Sequence, residues 1–243
     1  MPKYFFAPHQ FQDGAIALDG DTAHHLLHVL RLTPGSQLTL CDGAETDYAV
    51  TIEHIYPKKP LLICKVDSAA PALTEPETAI TLYQGLPKGD KLETIIQKCV
   101  ELGVHQIIPV ATGRSVVKLK ADAKKTARYQ RIAESAAGQS MRGIVPKVAD
   151  AISFETALAH MDCEALTLVA YEEEKHLSLK HALTQPACKK INLWIGPEGG
   201  FDAEEVDALA KKGACIVTLG KRILRTETAA IAMLAQVLCL TET

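Results

Sequence analysis

Two segments near the C-terminus limit what this chain can fold into: Ile195-Gly196-Pro197-Glu198-Gly199-Gly200-Phe201, and Leu219-Gly220-Lys221-Arg222-Ile223-Leu224-Arg225-Thr226-Glu227-Thr228-Ala229-Ala230. Each follows a short apolar run, Ile191 to Ile195 and Cys215 to Leu219, and each precedes a helical pattern. That order reads as a loop leaving the end of a strand, and two such loops make one pocket. Glycine tolerates positive φ and lets a ligand approach the backbone, while Pro197 fixes its own φ and lacks an N–H. Glu198 is thereby a carboxylate on a stiff loop. Asp202, with Glu205 three residues on, is the expected cap of a helix whose free N–H groups and positive dipole end face the same place. The second loop brings Arg225, with Thr226 as the expected N-cap of an apolar helix running through Ala229 to Leu240.

These glycines do not fit the common nucleotide loops. There is no G-x-x-x-x-G-K-[ST], and no G-x-G-x-x-G after a first strand, which argues against a P-loop NTPase and an ordinary dinucleotide-binding domain. The 243 residues, 47% hydrophobic and 23% charged, suffice for one large or two modest cores. No apolar stretch approaches the ~18 residues of a membrane span, and Met1-Pro2-Lys3-Tyr4-Phe5-Phe6 lacks a signal peptide's apolar segment, so the expected address is cytoplasmic. The seven cysteines are spread without a C-x-x-C pair, which argues against disulfides and zinc, and most of them are expected to be small core residues. His24 and His28 stand one helical turn apart, but no third ligand is in sight and no metal is expected.

A net charge of −3 does not announce a nucleic-acid binder, yet phosphates are met by local patches. From Gly113 to Arg131 the basic residues are Arg114, Lys118, Lys120, Lys124, Lys125, Arg128 and Arg131, against Asp122 alone. The run reads either as a solvated helix face or as an RNA contact. Glu172-Glu173-Glu174 reads as a solvated loop elsewhere.

Along the chain, short strands are expected at Tyr4 to Ala7, Ala15 to Leu18, Gln37 to Cys41, Tyr48 to Tyr56 and Leu61 to Val66, separated by turn signals such as Asp13-Gly14 and Pro34-Gly35. One helix interrupts them, from Thr22 as N-cap to Leu32. Strands at this spacing suggest a small barrel. Asp67 to Thr78, small and proline-containing, has linker composition, so the expected domains are 1–70 and 79–243 with 71–78 between. Beyond it strands (Ala79 to Gln84, Gln106 to Val110, Ala165 to Ala170) alternate with helices (Lys91 to Leu102, Ala121 to Ala137, Phe154 to His160), which predicts an α/β fold with a largely parallel sheet. Ligands bind beyond the carboxyl ends of such strands, so Ala170, Gly196 and Leu219 are expected in one crevice.

The combination of Ile195 to Phe201, Leu219 to Ala229, Lys88-Gly89-Asp90-Lys91 with Gln97-Lys98, and Glu101-Leu102-Gly103-Val104 resembles the RsmE family of 16S ribosomal RNA methyltransferases, in the SPOUT superfamily. His25-Leu26, Val29-Leu30-Arg31 and Asp42-Gly43 carry the resemblance into the N-terminal part. It implies a PUA-like, RNA-engaging N-terminal domain, a C-terminal trefoil knot, S-adenosylmethionine as cofactor, a homodimer, and methylation of uridine N3 in 16S ribosomal RNA of the small subunit. It implies that the cofactor is held by Ala170, Gly196, Pro197, Glu198, Gly199, Leu219, Gly220, Ile223, Leu224 and Thr226.

Uracil N3 carries a proton, so either a base removes it or cationic donors stabilise the imide anion. Glu198 is the candidate for the first role, Arg225 and Arg114 for the second; Glu198 reads equally well as structural, holding the loop through backbone N–H groups. Arg31, Arg114, Lys124, Lys125, Arg128 and Arg142 are the expected RNA contacts. Two positions depart from the family pattern: Gly113 stands where a Glu tends to precede Arg114-Ser115, and Gly138 stands for Glu in Gly138-Gln139-Ser140-Met141-Arg142. Competing expectations are a non-catalytic RNA-binding or ribosome-assembly factor, and a SPOUT enzyme acting on another RNA nucleotide.

Overall fold

The computed structural model describes residues 2–117, 119, 122–183 and 189–242. Lys118, Lys120 and Cys188 lie outside the described residues. The chain divides into two units, Met1–Glu75 with Ala137–Val145, and Pro76–Ala136 with Pro146–Thr243.

In the first unit the strands are β1 (Tyr4–Phe5), β2 (Phe11–Gln12), β3 (Ala15–Leu18), β4 (Gln37–Cys41), β5 (Thr46–Tyr56) and β6 (Leu61–Pro71). They form one sheet in the order β1-β4-β5-β6-β3-β2. Alternation does the folding: in β3 Ile16 and Leu18 point inward while Ala15 and Ala17 do not, and the inward set joins Phe6, Leu26, Leu40, Ile52 and Leu62 in one core. Strand β6 continues to Pro71 rather than stopping at Val66, because Asp47, Tyr48 and Ala49 of β5 pair with Ala70, Ala69 and Ser68. Small side chains read as a linker, but a ladder bonds through the backbone and accepts them on an exposed strand.

The expected helix is α1 (Gly20–His24), continued by a wider π turn over His25–Val29, and a short 3-10 turn spans Pro8–Gln10. Helix α1 begins earlier than expected, with Asp19 rather than Thr22 at the N-cap position. It ends earlier too: Arg31 takes φ 54°, a left-handed conformation that closes the helix, and Leu32 N–H returns to Leu26 O at 3.0 Å. Residues 137–145 are tied into this unit by Glu75, whose carboxylate pairs with Arg142 and accepts Gly143 N–H at 2.7 Å. Lys3 N–H donates to Gly138 O at 2.9 Å.

The second unit runs β7 (Ala79–Gly85), α2 (Lys91–Leu102), β8 (Gln106–Ala111), α3 (Ala123–Gln139), β9 (Lys147–Val148), β10 (Ile152–Ser153), α4 (Phe154–His160), β11 (Leu166–Ala170), α5 (Leu179–Ala182), β12 (Lys190–Ile195), α6 (Ala203–Lys211), β13 (Cys215–Val217) and α7 (Thr226–Thr241). The last three residues of α3 belong to the first unit. The strands form one sheet in the order β10-β8-β7-β12-β11-β13, with β9 beside β8, and every pairing in it is parallel. Central β12 reads Ile191-Asn192-Leu193-Trp194-Ile195 and is buried on both faces, as a parallel strand between helical layers must be. Trp194 stacks on Tyr83 of the neighbouring strand, centroids 4.5 Å apart and rings 2° from parallel. Helix α7 packs on α2 and β12.

The cysteines divide. Cys41, Cys64 and Cys99 are buried, with burial pushing the Cys41 and Cys64 thiols up to about 11 and about 12, so these are inert packing groups. Cys163 and Cys239 are exposed, outside the core role expected of most of the cysteines. Among the described residues no group of three potential ligands joins His24 and His28, and no helix is long and apolar enough to cross a membrane.

Candidate active site

Because β11 lies between β12 and β13, the loops leaving their carboxyl ends open beside one another. They enclose a cavity of about 490 Å³, within the ~300–1,000 Å³ usual for small-molecule sites. Its walls include Ala170, Gly196, Pro197, Glu198, Gly199, Leu219, Gly220, Ile223, Leu224, Arg225 and Thr226. Every residue expected to hold the cofactor therefore faces one space.

The backbone crowding explains the glycines. A Cβ on Gly196 would stand 2.9 Å from the Gly200 carbonyl carbon, and one on Gly85, at the end of β7, 2.5 Å from Pro197 N. Neither backbone can yield, so the strand ends approach as closely as they do only with glycine there. Gly200 sits at φ 72°, and its N–H closes a turn onto Pro197 O at 3.0 Å.

Beneath this loop lies a polar cluster of side chains. Thr226 Oγ1 donates to Gly196 O at 2.6 Å and accepts from Gln84 Nε2 at 2.9 Å, while Gln84 Nε2 also donates to Gly85 O at 2.9 Å. Gln84 is fully buried and Thr226 nearly so. Thr226 is therefore the first helical residue of α7, not its cap; Arg225 holds the cap position, with φ −68° and ψ 153°. The hydroxyl expected to cap its own helix instead fastens another loop. Gln84 Oε1 is buried and has no hydrogen-bond partner among the described residues.

Glu198 bridges to the loop after β7. Its Oε1 accepts Lys91 Nζ at 2.7 Å and Lys88 N–H at 3.0 Å. Partial burial pushes the carboxyl up, but the Lys91 ammonium and the backbone donors outweigh it and hold the group below the ordinary glutamate range. A carboxylate made less basic in this way is a poor proton acceptor, and the geometry favours the structural role for Glu198 over general base.

Arg114 is also engaged. Its Nε donates to Asp202 Oδ1 at 2.7 Å and its Nη1 to Gly199 O at 2.8 Å. Its guanidinium clamps the glycine loop instead of pointing free into the cavity, whose walls do not include it. Asp202 sits at the N-cap of α6 as expected, with Glu205 Oε2 accepting its N–H at 2.9 Å; Glu205 Oε1 takes Gly113 N–H at 2.8 Å as well.

The Arg225 side chain is exposed and its guanidinium makes no hydrogen bond or ion pair among the described residues, while its backbone oxygen accepts Ala229 N–H at 2.8 Å; the side chains of Lys221 and Arg222 on the same rim are likewise exposed and unpaired among the described residues. Of the expected RNA contacts, Arg31, Lys124, Lys125 and Arg128 are exposed. Arg128 is paired with Glu93 at 2.8 Å, and Lys125 Nζ stands 5.7 Å from the Tyr129 ring centroid. Arg142 is not a surface cation: it is 2% exposed and its guanidinium is taken by Glu75, which corrects its expected role to an internal brace.

Sequence reasoning misses Gln84, Gly85, Tyr171 and Glu172. Gln84 is legible only as a polar residue closing an apolar strand. Glu172 reads as part of a solvated loop, yet it lines the cavity two residues after β11 ends.

A family model described as an RNA methyltransferase domain matches residues 74–238, and one described as an RNA methyltransferase PUA domain matches residues 18–63. The ribosomal RNA small subunit methyltransferase E of Bacillus subtilis is 36% identical over all of this chain and 98% of its own. The Synechocystis protein of the same name is 34% identical, over 97% of this chain and 77% of its own. A crystal structure of ribosomal RNA small subunit methyltransferase E from Neisseria gonorrhoeae, bound to S-adenosyl methionine, superposes with a TM-score of 0.89 at 34% identity, covering 99% of this chain and 98% of that one. With a parallel sheet whose glycine loops meet over one cavity and a match along the whole sequence, the chain belongs to the ribosomal RNA small subunit methyltransferase E family of RNA methyltransferases.

Proposed function

We propose that this chain transfers a methyl group from S-adenosylmethionine to N3 of one uridine in 16S ribosomal RNA, in the cytoplasm and as a homodimer whose C-terminal segment is threaded as a knot. The observation that carries the proposal is the cavity at the ends of β11, β12 and β13, with glycine backbone for walls and exposed cations on its rim. A donor with many polar edges fits such a lining. Glycine at 196 lets the loop after β12 fold back so closely that a Cβ there would stand 2.9 Å from the Gly200 carbonyl carbon, and residues 196–200 line the cavity.

The donor supplies a methyl carbon on a sulfonium, open to in-line attack. The chain's residues supply position and charge. Gln84, Thr226 and the Gly196 carbonyl fix the loop that faces the donor, Arg114 and Glu198 brace it from either side, and rigidity of this kind keeps reacting atoms near attack distance. Arg225, whose guanidinium has no hydrogen-bond or ion-pair partner among the described residues, is suited to stabilise the anion that develops on the uracil oxygens as N3 loses its proton. Lys221 and Arg222 are placed to meet phosphates flanking the target. A single base can enter the cavity only when unstacked, which suits a loop or bulge of the RNA.

The test is methylation of naked 16S ribosomal RNA and of small subunits with labelled donor, followed by nuclease mapping and mass analysis. Label at a single uridine, as the N3-methyl base, is the expected result. Label on another atom or nucleotide refutes the substrate assignment, and absence of donor binding by titration calorimetry refutes the enzyme itself.

A further inference from the structure

The cavity is lined by two carboxylates, Glu198 and Glu172. Glu198 is committed to Lys91 and the Lys88 N–H. Glu172 is exposed and makes no hydrogen bond or ion pair among the described residues. Its side chain nevertheless has a defined place: it lies directly over Gly200, where any Cβ would collide with Glu172 Oε1 and stand 3.0 Å from its carboxyl carbon. It also follows β11 by two residues, so it stands at the carboxyl end of the strand between the two glycine loops, where a ligand of a parallel sheet is met. The charge of Arg114 reaches it without forming a pair.

From this we infer that Glu172 is the residue that accepts the N3 proton of the target uracil, and by the same contact distinguishes uracil from cytosine. The inference rests on the function proposed above. Uracil presents an N–H at N3, where cytosine presents a lone pair. An ionised carboxylate accepts from the first and repels the second. As the N3 proton passes to a Glu172 carboxylate oxygen, the electron pair left on N3 forms the bond to the methyl carbon. The carbon–sulfur bond breaks with its pair remaining on sulfur, which leaves a neutral thioether, and Glu172 afterwards releases the proton to water. Arg225, on the facing loop, balances the charge on the ring oxygens. The two roles left open by the sequence, base and anion stabiliser, thus fall on a carboxylate and a guanidinium that line the cavity and are not otherwise engaged among the described residues.

The experiment compares wild type, Glu172→Gln and Glu172→Asp in the full-length protein. Three quantities are read: kcat on small-subunit RNA at saturating donor, donor Kd by calorimetry, and affinity for an RNA carrying uridine or cytidine at the target position. Glu172→Gln is expected to lower kcat at least ~100-fold, the scale of a missing general base, with donor Kd within about twofold and the preference for uridine over cytidine reduced. Glu172→Asp should recover part of the rate. A Glu172→Gln enzyme within about threefold of wild type, or one whose donor affinity falls about tenfold or more, overturns the inference; the second result would make the carboxylate a donor contact. If the wild-type protein itself leaves uridine N3 unmodified, the proposed function fails and this inference with it. Equal rates from an active wild type and the Gln variant sink only the role of Glu172.

Discussion

Replacing Thr226 by valine removes one hydroxyl and keeps the shape. In the folded protein that hydroxyl gives Gly196 O its 2.6 Å donor, and the other side-chain donor near this carbonyl is Gln84 Nε2 at 3.5 Å, at the limit of bonding. Gln84 Nε2 keeps its bond to Gly85 O at 2.9 Å. One buried carbonyl is thus left almost unpaired, which costs about 1–3 kcal/mol. At ~2 kcal/mol, a chain of this size should lose ~4–8 °C in Tm. The loop that must face the donor is then free to drift, and if ~1.4 kcal/mol of that cost has to be recovered on binding, donor Kd weakens about tenfold. Scanning calorimetry and titration with S-adenosylmethionine measure both, with Thr226→Ser, which keeps the hydroxyl, as the control expected to retain donor affinity. A Thr226→Val protein that melts and binds like wild type would mean that the Gln84–Thr226–Gly196 link does not hold the site.

Gly138→Ala should destabilise the first unit despite alanine's better helix propensity, since its Cβ would stand 2.5 Å from the Lys3 backbone oxygen and push away a strand end that carries the buried Lys3–Asp47 pair; a rise in Tm would refute this. Glu198→Gln should lower Tm at neutral pH. Since its folded-state pKa is depressed, the gap from wild type should hold above about pH 5 and close as pH falls below about 4, and a gap that survives at low pH would show it does not come from the charge. Arg225→Ala should abolish turnover while leaving Tm within ~1 °C, because the side chain is exposed and surface substitutions of this kind change stability little; near-wild-type kcat removes it from the mechanism. Reversing charge at Lys124 and Lys125 should weaken RNA binding and flatten its salt dependence by ~0.7–0.9 in slope for each phosphate left without its cation, and an unchanged slope would leave α3 a solvated face.

Much of the second unit is legible in the sequence because its signals are local. Lys91 to Leu102 matches the observed helix residue for residue, since a long amphipathic run has one good solution, and Asp202 with Glu205 announces the start of α6 from four residues of sequence. The cavity is legible for a similar reason, glycine and proline after an apolar run. Partnership is not legible. Arg114 and Arg142 read as free charges and Glu198 as a residue of two possible roles, yet each is engaged: by Asp202 and Gly199, by Glu75, and by Lys91. Sequence separations of 107 residues between Lys91 and Glu198 and 67 between Glu75 and Arg142 leave no periodicity to read. Glu172 misleads in the opposite direction: a run of three acids suggests solvent, and only the β12-β11-β13 order puts its first member in the cavity.

The two glycines that depart from the family pattern differ in what opposes a side chain. At Gly113 a Cβ would meet Asp202 Oδ2, the far end of a flexible side chain, and Glu205 already accepts the Gly113 N–H at 2.8 Å. A larger residue there can be admitted by swinging Asp202 away, but Asp202 is what Arg114 Nε holds, so the change would be felt at the Gly199 clamp and hence in donor binding. At Gly138 the obstacle is the Lys3 backbone, fixed by its own bond to Gly138 O, and nothing can swing. At 113 the loop after β8 is thus held from the neighbouring helix by Glu205, whereas glycine at 138 belongs to the packing of the N-terminal strand and bears on stability before it bears on chemistry.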